Sequence, residues 1–258
     1  MNFKSAFLIL FIFIYACPKI RAQNWQFGFK GGLSLPNLSS PSGSSEVSQG
    51  YHTISGPDFA CVADYKLSEK ISIESGLEWS TQGGEKSGLQ AIPKIPGLEA
   101  FFPPGSDFKY LYADFTSSVR LQYLMLPVLV KYSMNLGNSN HWKFYVDGGI
   151  FGAYLLKAEG SVAGSSKVYY DKEETKPVTP YIMNVDSSQD ISSQLYKGNF
   201  GIEGNLGLIY QVHSMAVYGE AGGNYGFIDL QKDSGNGINH TGAIVFRVGI
   251  FFYLNKKD

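Results

Sequence analysis

Residues 244–254 read Ile-Val-Phe-Arg-Val-Gly-Ile-Phe-Phe-Tyr-Leu, and which of their two faces meets oil decides the fold. Ile244, Phe246, Val248, Ile250, Phe252 and Leu254 share one parity, and Arg247 stands on the other. A repeat of two is that of a strand with two unlike faces. The same alternation recurs upstream. Trp25, Phe27, Phe29, Leu33 and Leu35 oppose Gln26 and Lys30; Phe59, Cys61, Ala63, Tyr65 and Leu67 oppose Asp58, Asp64 and Lys66; Ile71, Ile73, Leu77 and Trp79 oppose Ser72, Glu74, Glu78 and Ser80. Leu124, Leu126, Val128, Val130 and Tyr132 share a face, with Tyr123, Met125 and Leu129 beside Lys131 on the other. In the second half, Trp142 to Leu156 alternates against Lys143, Tyr145 and Asp147, Phe200 to Tyr210 against Glu203 and Asn205, and Met215 to Phe227 against Tyr218, Glu220 and Asn224. About eight strands of ten or more residues follow, against a mean of about five or six in soluble proteins.

Both a sandwich and a membrane barrel alternate, so the placement of charge separates them. Lys30, Asp64, Glu74, Glu78, Lys131, Asp147, Glu203, Glu220 and Arg247 all fall on the less apolar parity. A basic residue facing lipid at midplane costs about 2–4 kcal/mol, and a bilayer therefore enforces such segregation. The connections alternate too. Ser68 to Lys70, Asn135 to His141 and His213-Ser214 are short, whereas Pro36 to Gly56, Gly83 to Arg120, Ala158 to Tyr196 and Asp229 to His240 are long. Short periplasmic turns and long outer loops give an antiparallel up-and-down transmembrane β-barrel with an even strand number, eight or, if a long loop adds a hairpin, ten. The last strand must pair with the first, because an open edge in hydrocarbon leaves backbone groups unsatisfied.

Composition agrees. Aromatic residues make up 15% of the 258-residue chain, 30 residues are glycine and only 17% are charged, which favours strands and argues against a nucleic-acid partner. The first 22 residues read as a signal peptide, with Lys4 before an apolar run from Phe7 to Ala16 and cleavage after Ala22; a lipoprotein signal at Cys17 is the alternative. Residues 23–258 then form one barrel domain. Loss of Lys4, Lys19 and Arg21 leaves 18 basic against 22 acidic residues, a mildly acidic exported protein. Cys61 is left without an intramolecular partner, so no disulfide framework is expected.

Several residues resemble the PorT-like outer-membrane β-barrel proteins of the Bacteroidota. They are Phe27-Gly28-Phe29-Lys30-Gly31-Gly32-Leu33, Ile73-Glu74-Ser75-Gly76-Leu77-Glu78-Trp79, Phe144 to Gly149, Gly249-Ile250-Phe251-Phe252 and, most specifically, Tyr123-Leu124-Met125-Leu126-Pro127-Val128-Leu129-Val130-Lys131-Tyr132. The resemblance implies an outer-membrane barrel, usually without an assigned activity; the founding member is associated with type IX secretion and gliding. The chain departs from the pattern by ending Leu254-Asn255-Lys256-Lys257-Asp258, which places a terminal assembly signal at Phe252 or Tyr253 slightly inside the end. Pro127 cannot donate to a ladder, and a bulge or distorted pairing is expected there.

Chemical motifs are sparse. His52, His141, His213 and His240 fall in predicted loops or turns without metal-ligand spacing, and no nucleophile elbow, Walker loop or Cys-x-x-Cys occurs. Gly201 to Gly207 approaches a dinucleotide fingerprint but lies in a strand. No catalytic, cofactor-binding or metal site is therefore assigned, and no enzyme is expected. Lys30, Glu74, Glu78, Lys131, Glu203, Glu220 and Arg247 form an expected charge network filling a narrow lumen. Phe101, Phe102, Phe108, Tyr110 and Tyr112, with Pro93, Pro96, Pro103 and Pro104, mark the outer loop most suited to contact a partner. Outer-membrane lipid, lipopolysaccharide and other envelope or secretion proteins are the expected partners. The function expected is that of a non-enzymatic scaffold or secretion accessory. A small solute channel, a rim hydrolase or acyltransferase, and a secreted lipocalin-like barrel are the rivals.

Overall fold

The computed structural model describes residues 24–41, 46–93, 108–137, 141–233 and 237–253. Residues 1–23, which hold the expected signal peptide with Lys4 and Cys17, and the loop positions Phe101 and Phe102 lie outside them. Nine antiparallel strands follow the chain: β1 Trp25–Ser39, β2 Gly56–Lys66, β3 Ile71–Pro93, β4 Tyr110–Asn135, β5 Trp142–Tyr169, β6 Pro177–Asp190, β7 Gly198–Val212, β8 Met215–Gly226 and β9 His240–Tyr253. β9 pairs with β1 from Gln26–Tyr253 to Ser39–His240, and the sheet closes.

Eight strands form the barrel wall. β5 explains the ninth: its lower half, Trp142 to Tyr154, pairs with β7, and its upper part, from Glu159, pairs with β6. β6 thus belongs to a sheet above the wall and not to a further pair of spanning strands. Following Cα partners around the wall from Trp25 leads through Tyr65, Ile73, Val130, Gly148, Gly204, Gly223 and Ile244 to Leu35, ten residues farther along β1. That stagger tilts the strands, and a barrel of about eight strands has a lumen just wide enough for side chains to fill.

Polarity is that of a membrane barrel. Phe246 and Val248 are 49% and 69% exposed, whereas Glu220 and Arg247 are 6% and 2% exposed. This is the reverse of a soluble ligand-binding barrel, whose interior is apolar and whose outside is polar. At the periplasmic end Trp25 packs on Tyr65 and Trp142 on Tyr210, at centroid distances of 4.9 and 4.8 Å, as interfacial rings do. Tyr253 at the same end sits on the inward parity of β9, and its hydroxyl accepts from Gln211 Nε2 at 2.8 Å.

Three expectations change. The stretches from Gly83 to Pro93, Tyr110 to Arg120 and Ala158 to Tyr169 are not loops but continuous extensions of β3, β4 and β5, because the ladder continues past the hydrocarbon. No register shift falls at Pro127, where the pairing is interrupted instead; the shifts of the β4–β5 ladder lie between Ala113 and Thr116 and between Gln122 and Tyr123, the latter with the extra residue, Leu156, on β5. Beside Pro127 the β3–β4 register is the same on both sides of a gap between the pairs Ser75–Val128 and Glu78–Met125, where the ring takes the place of a donor. The Pro127 carbonyl accepts from Ser75 Oγ at 2.8 Å. His240, expected in a loop, opens β9.

Candidate functional site

The lumen is built by inward positions two apart on every wall strand. Arg247 of β9 is its centre. Its Nε donates to Asp58 Oδ1 at 2.6 Å, Nη2 to Glu78 Oε1 at 2.6 Å, and Nη1 to Glu203 Oε1 and Glu220 Oε1 at 3.0 and 3.3 Å. Glu220 also meets Lys30 Nζ at 3.0 Å, and Lys30 donates to Glu74 Oε1 at 3.2 Å. Lys131 donates to Glu74 and lies 3.7 Å from Asp64. The seven positions singled out in the sequence therefore lie in one connected network. Asp58, Asp64, Asp147 and Tyr145 join it, the last by donating to Glu220 Oε2 at 2.6 Å. Asp147 comes in through Asn205, which donates to both Asp147 Oδ1 and Glu203 Oε1. The inward parity already marked these acids; what it lacked was their mutual distance.

The network is unbalanced. Among the described residues the buried lumen carries seven carboxylates, Asp58, Asp64, Glu74, Glu78, Asp147, Glu203 and Glu220, against Lys30, Lys131 and Arg247. One oxygen each of Glu78, Glu203 and Asp147 has no hydrogen-bond partner.

Apolar side chains pack on both sides of the Arg247 cluster, while Asp64 and Lys131 line a pocket that reaches the periplasmic turn at Ser68 to Lys70. Toward the periplasm, Tyr145, Tyr218 and Phe251 pack together, with Lys131 Nζ 4.6 Å from the Tyr145 ring centre. Toward the exterior, Leu38, Leu121, Tyr123, Met125, Phe151 and Leu155 meet Leu195 and Leu230, which descend from the two last outer loops. Loop side chains stopper the mouth from above.

The outer aromatics divide. Phe108 stacks on Tyr170 at 5.1 Å, while Tyr110 and Tyr112 belong to β4, and the Tyr112 hydroxyl donates to Glu46 at 3.2 Å. Among the described residues no three His, Cys, Asp or Glu side chains are arranged to hold a metal ion.

A closed, tilted, lipid-facing wall around a charged lumen already specifies the class of molecule, and a family model fits it. The model of the outer membrane protein beta-barrel domain matches residues 21–255. The chain belongs to that family. Its place is the outer membrane. Among curated protein sequences nothing matches. Solved structures of low identity align along most of the chain. The Neisserial surface protein A is 11% identical, with TM-score 0.36, 88% of this chain and 97% of that chain covered. The N-terminal β-barrel domain of Pseudomonas aeruginosa OprF is 10% identical, with TM-score 0.33 and coverages of 89% and 97%. The outer membrane protease OmpT from Escherichia coli is 8% identical, with TM-score 0.46 and coverages of 93% and 99%.

Proposed function

We propose that this outer-membrane barrel is a non-enzymatic, PorT-like envelope scaffold or secretion accessory that engages its partners above the membrane. On this reading it is exported behind a leader cleaved after Ala22, and its partners are envelope or secretion proteins and lipopolysaccharide. One observation carries the proposal: the lumen is filled, while β3, β4, β5 and β6 rise beyond the wall as a four-stranded sheet. A filled lumen offers no path for solutes. A rigid sheet held above the bilayer offers a surface, and among the described strands β6 is hydrogen-bonded on its β5 side only. Such an edge can accept an extended segment of a partner.

The test is recovery of envelope proteins with the purified full chain, compared with a variant in which residues 167–187 are replaced by a short Gly-Ser turn. The trimmed barrel is expected to insert normally and lose its partner. Equal recovery by both chains, with no further loss on trimming the other outer loops, would defeat the proposal.

A further inference from the structure

Above the wall, the segment 46–52, upper β3, Tyr112 of β4 and the turn after β5 surround a cavity of about 470 Å³ open to the exterior. Lys86 forms part of its wall. It lies seven residues beyond Trp79 on β3, yet it is only 7% exposed. Its Nζ donates to the backbone carbonyls of Glu46 and Val47 at 3.3 and 3.1 Å, and the Tyr51 ring lies 5.5 Å away. Among the described residues no carboxylate oxygen lies within ion-pair distance of it. Burial alone pushes the Lys86 ammonium below the ordinary lysine range, with no anion offsetting the cost.

The two buried lysines of the lumen behave differently. Lys30 and Lys131 each touch two carboxylates. Lys86 has two carbonyl acceptors for three ammonium protons, so one donor remains for something else. Lys172 stands at the rim, paired at 2.8 Å with Glu46 Oε1, which offsets its charge. The remaining lining is mainly hydrogen-bonding: His52, Gln49, Tyr112 and the Glu46 carboxylate, with Leu89 and Ala91 as the apolar contribution.

We propose that this cavity binds an acidic saccharide from the extracellular side. The acid group takes the third Lys86 proton and the field of Lys172, while ring hydroxyls meet Glu46, His52 and the Tyr112 edge. The chemistry of the lining selects this class: two cations stand against the single carboxylate of Glu46, leaving Lys86 without an anion, and the neutral polar groups suit a hydroxylated ring better than an apolar side chain. Its source is either acidic sugar of the cell's own surface or polysaccharide arriving from outside. The inference shares the outer strands with the partner reading above, Lys172 lying inside segment 167–187, and is tested separately, by ligand binding to the full chain.

Calorimetric titration of the detergent-solubilised chain with trigalacturonate, and with neutral trigalactose as control, decides it. Binding of the acidic trimer alone is expected, about tenfold weaker in Lys172→Ala and lost in Lys86→Met, consistent with one charge-assisted contact per lysine. Heat-modifiable gel mobility checks that each variant is folded; Lys172→Ala removes an exposed side chain and serves even if Lys86→Met loosens segment 46–52. Competition by delipidated oligosaccharide from the producing cell supports a source on the same surface; retained trigalacturonate binding without competition supports an external one. Equal binding of both trimers, no binding of either, or unchanged affinity in Lys172→Ala and Lys86→Met overturns the proposal.

Discussion

Arg247 and Asp58 meet through two parallel contacts, Nε to Oδ1 at 2.6 Å and Nη2 to Oδ2 at 3.3 Å, although their strands, β9 and β2, are separated by β1. The guanidinium reaches across a neighbouring strand to bind a carboxylate in fork geometry, which lysine cannot reproduce. It also holds Glu78, Glu203 and Glu220, so one residue clamps β2, β3, β7 and β8 to β9.

Removing that clamp leaves four carboxylates facing one another. Arg247→Met is expected to lower the unfolding free energy in lipid vesicles by at least the about 3–5 kcal/mol typical of breaking a buried ion pair, and Arg247→Lys to recover only part. Urea titration followed by gel mobility measures both. A loss below about 1 kcal/mol in Arg247→Met would show that the wall stands without the network.

The filled lumen predicts electrical silence. Purified protein in planar bilayers should show no steady conductance above the lipid background, because side chains packed around Leu195 and Leu230 and around Tyr145 and Phe251 fill the lumen of a barrel this narrow. Reproducible ohmic steps would revive the solute-channel rival.

Val248 lies near the middle of the outward face of β9, and Arg placed there must meet lipid. Val248→Arg should cost about 2–4 kcal/mol, against about 0–1 near the interface at Phe252→Arg. Unfolding in vesicles of defined thickness reads the difference. Equal costs at the two depths contradict the orientation.

Cys61 is exposed on the lipid-facing parity of β2. In intact vesicles its thiol should react with a lipid-soluble maleimide and resist a charged thiosulfonate added on either side. Rapid labelling by the charged reagent would place the residue in water.

Gly207 makes room for a ring. A Cβ there would lie 2.6 Å from the Tyr145 ring and from the Gly219 carbonyl. Gly207→Ala should therefore destabilise by about 1–3 kcal/mol through overpacking, and Tyr145→Phe, which keeps the ring but frees Glu220 of a donor, should not relieve it. A Gly207→Ala, Tyr145→Ala double variant, measured by urea unfolding, tests whether the clash is with the ring: it should lose less than the sum of the two single costs.

How far the sequence reached depends on distance along the chain. Period two, charge on one parity and the alternation of short and long connections are local properties, and residues such as Phe246, Arg247 and Val248 carry them without reference to anything else. From them the wall, its inside and its outside follow, since a bilayer admits no other arrangement of such strands. Which charges touch was decided by the registers between strands, which set Arg247 and Asp58 on either side of Gly32 and bring Lys30 within reach of Glu220; no stretch of sequence contains those pairings. Beyond the hydrocarbon the lipid no longer enforces alternation, so upper β3, β4 and β5 read as loops and β6 went unseen until their hydrogen bonds were in place. Lys86 is the extreme case: an ordinary lysine in the sequence, it becomes a buried cation only when segment 46–52 folds over it.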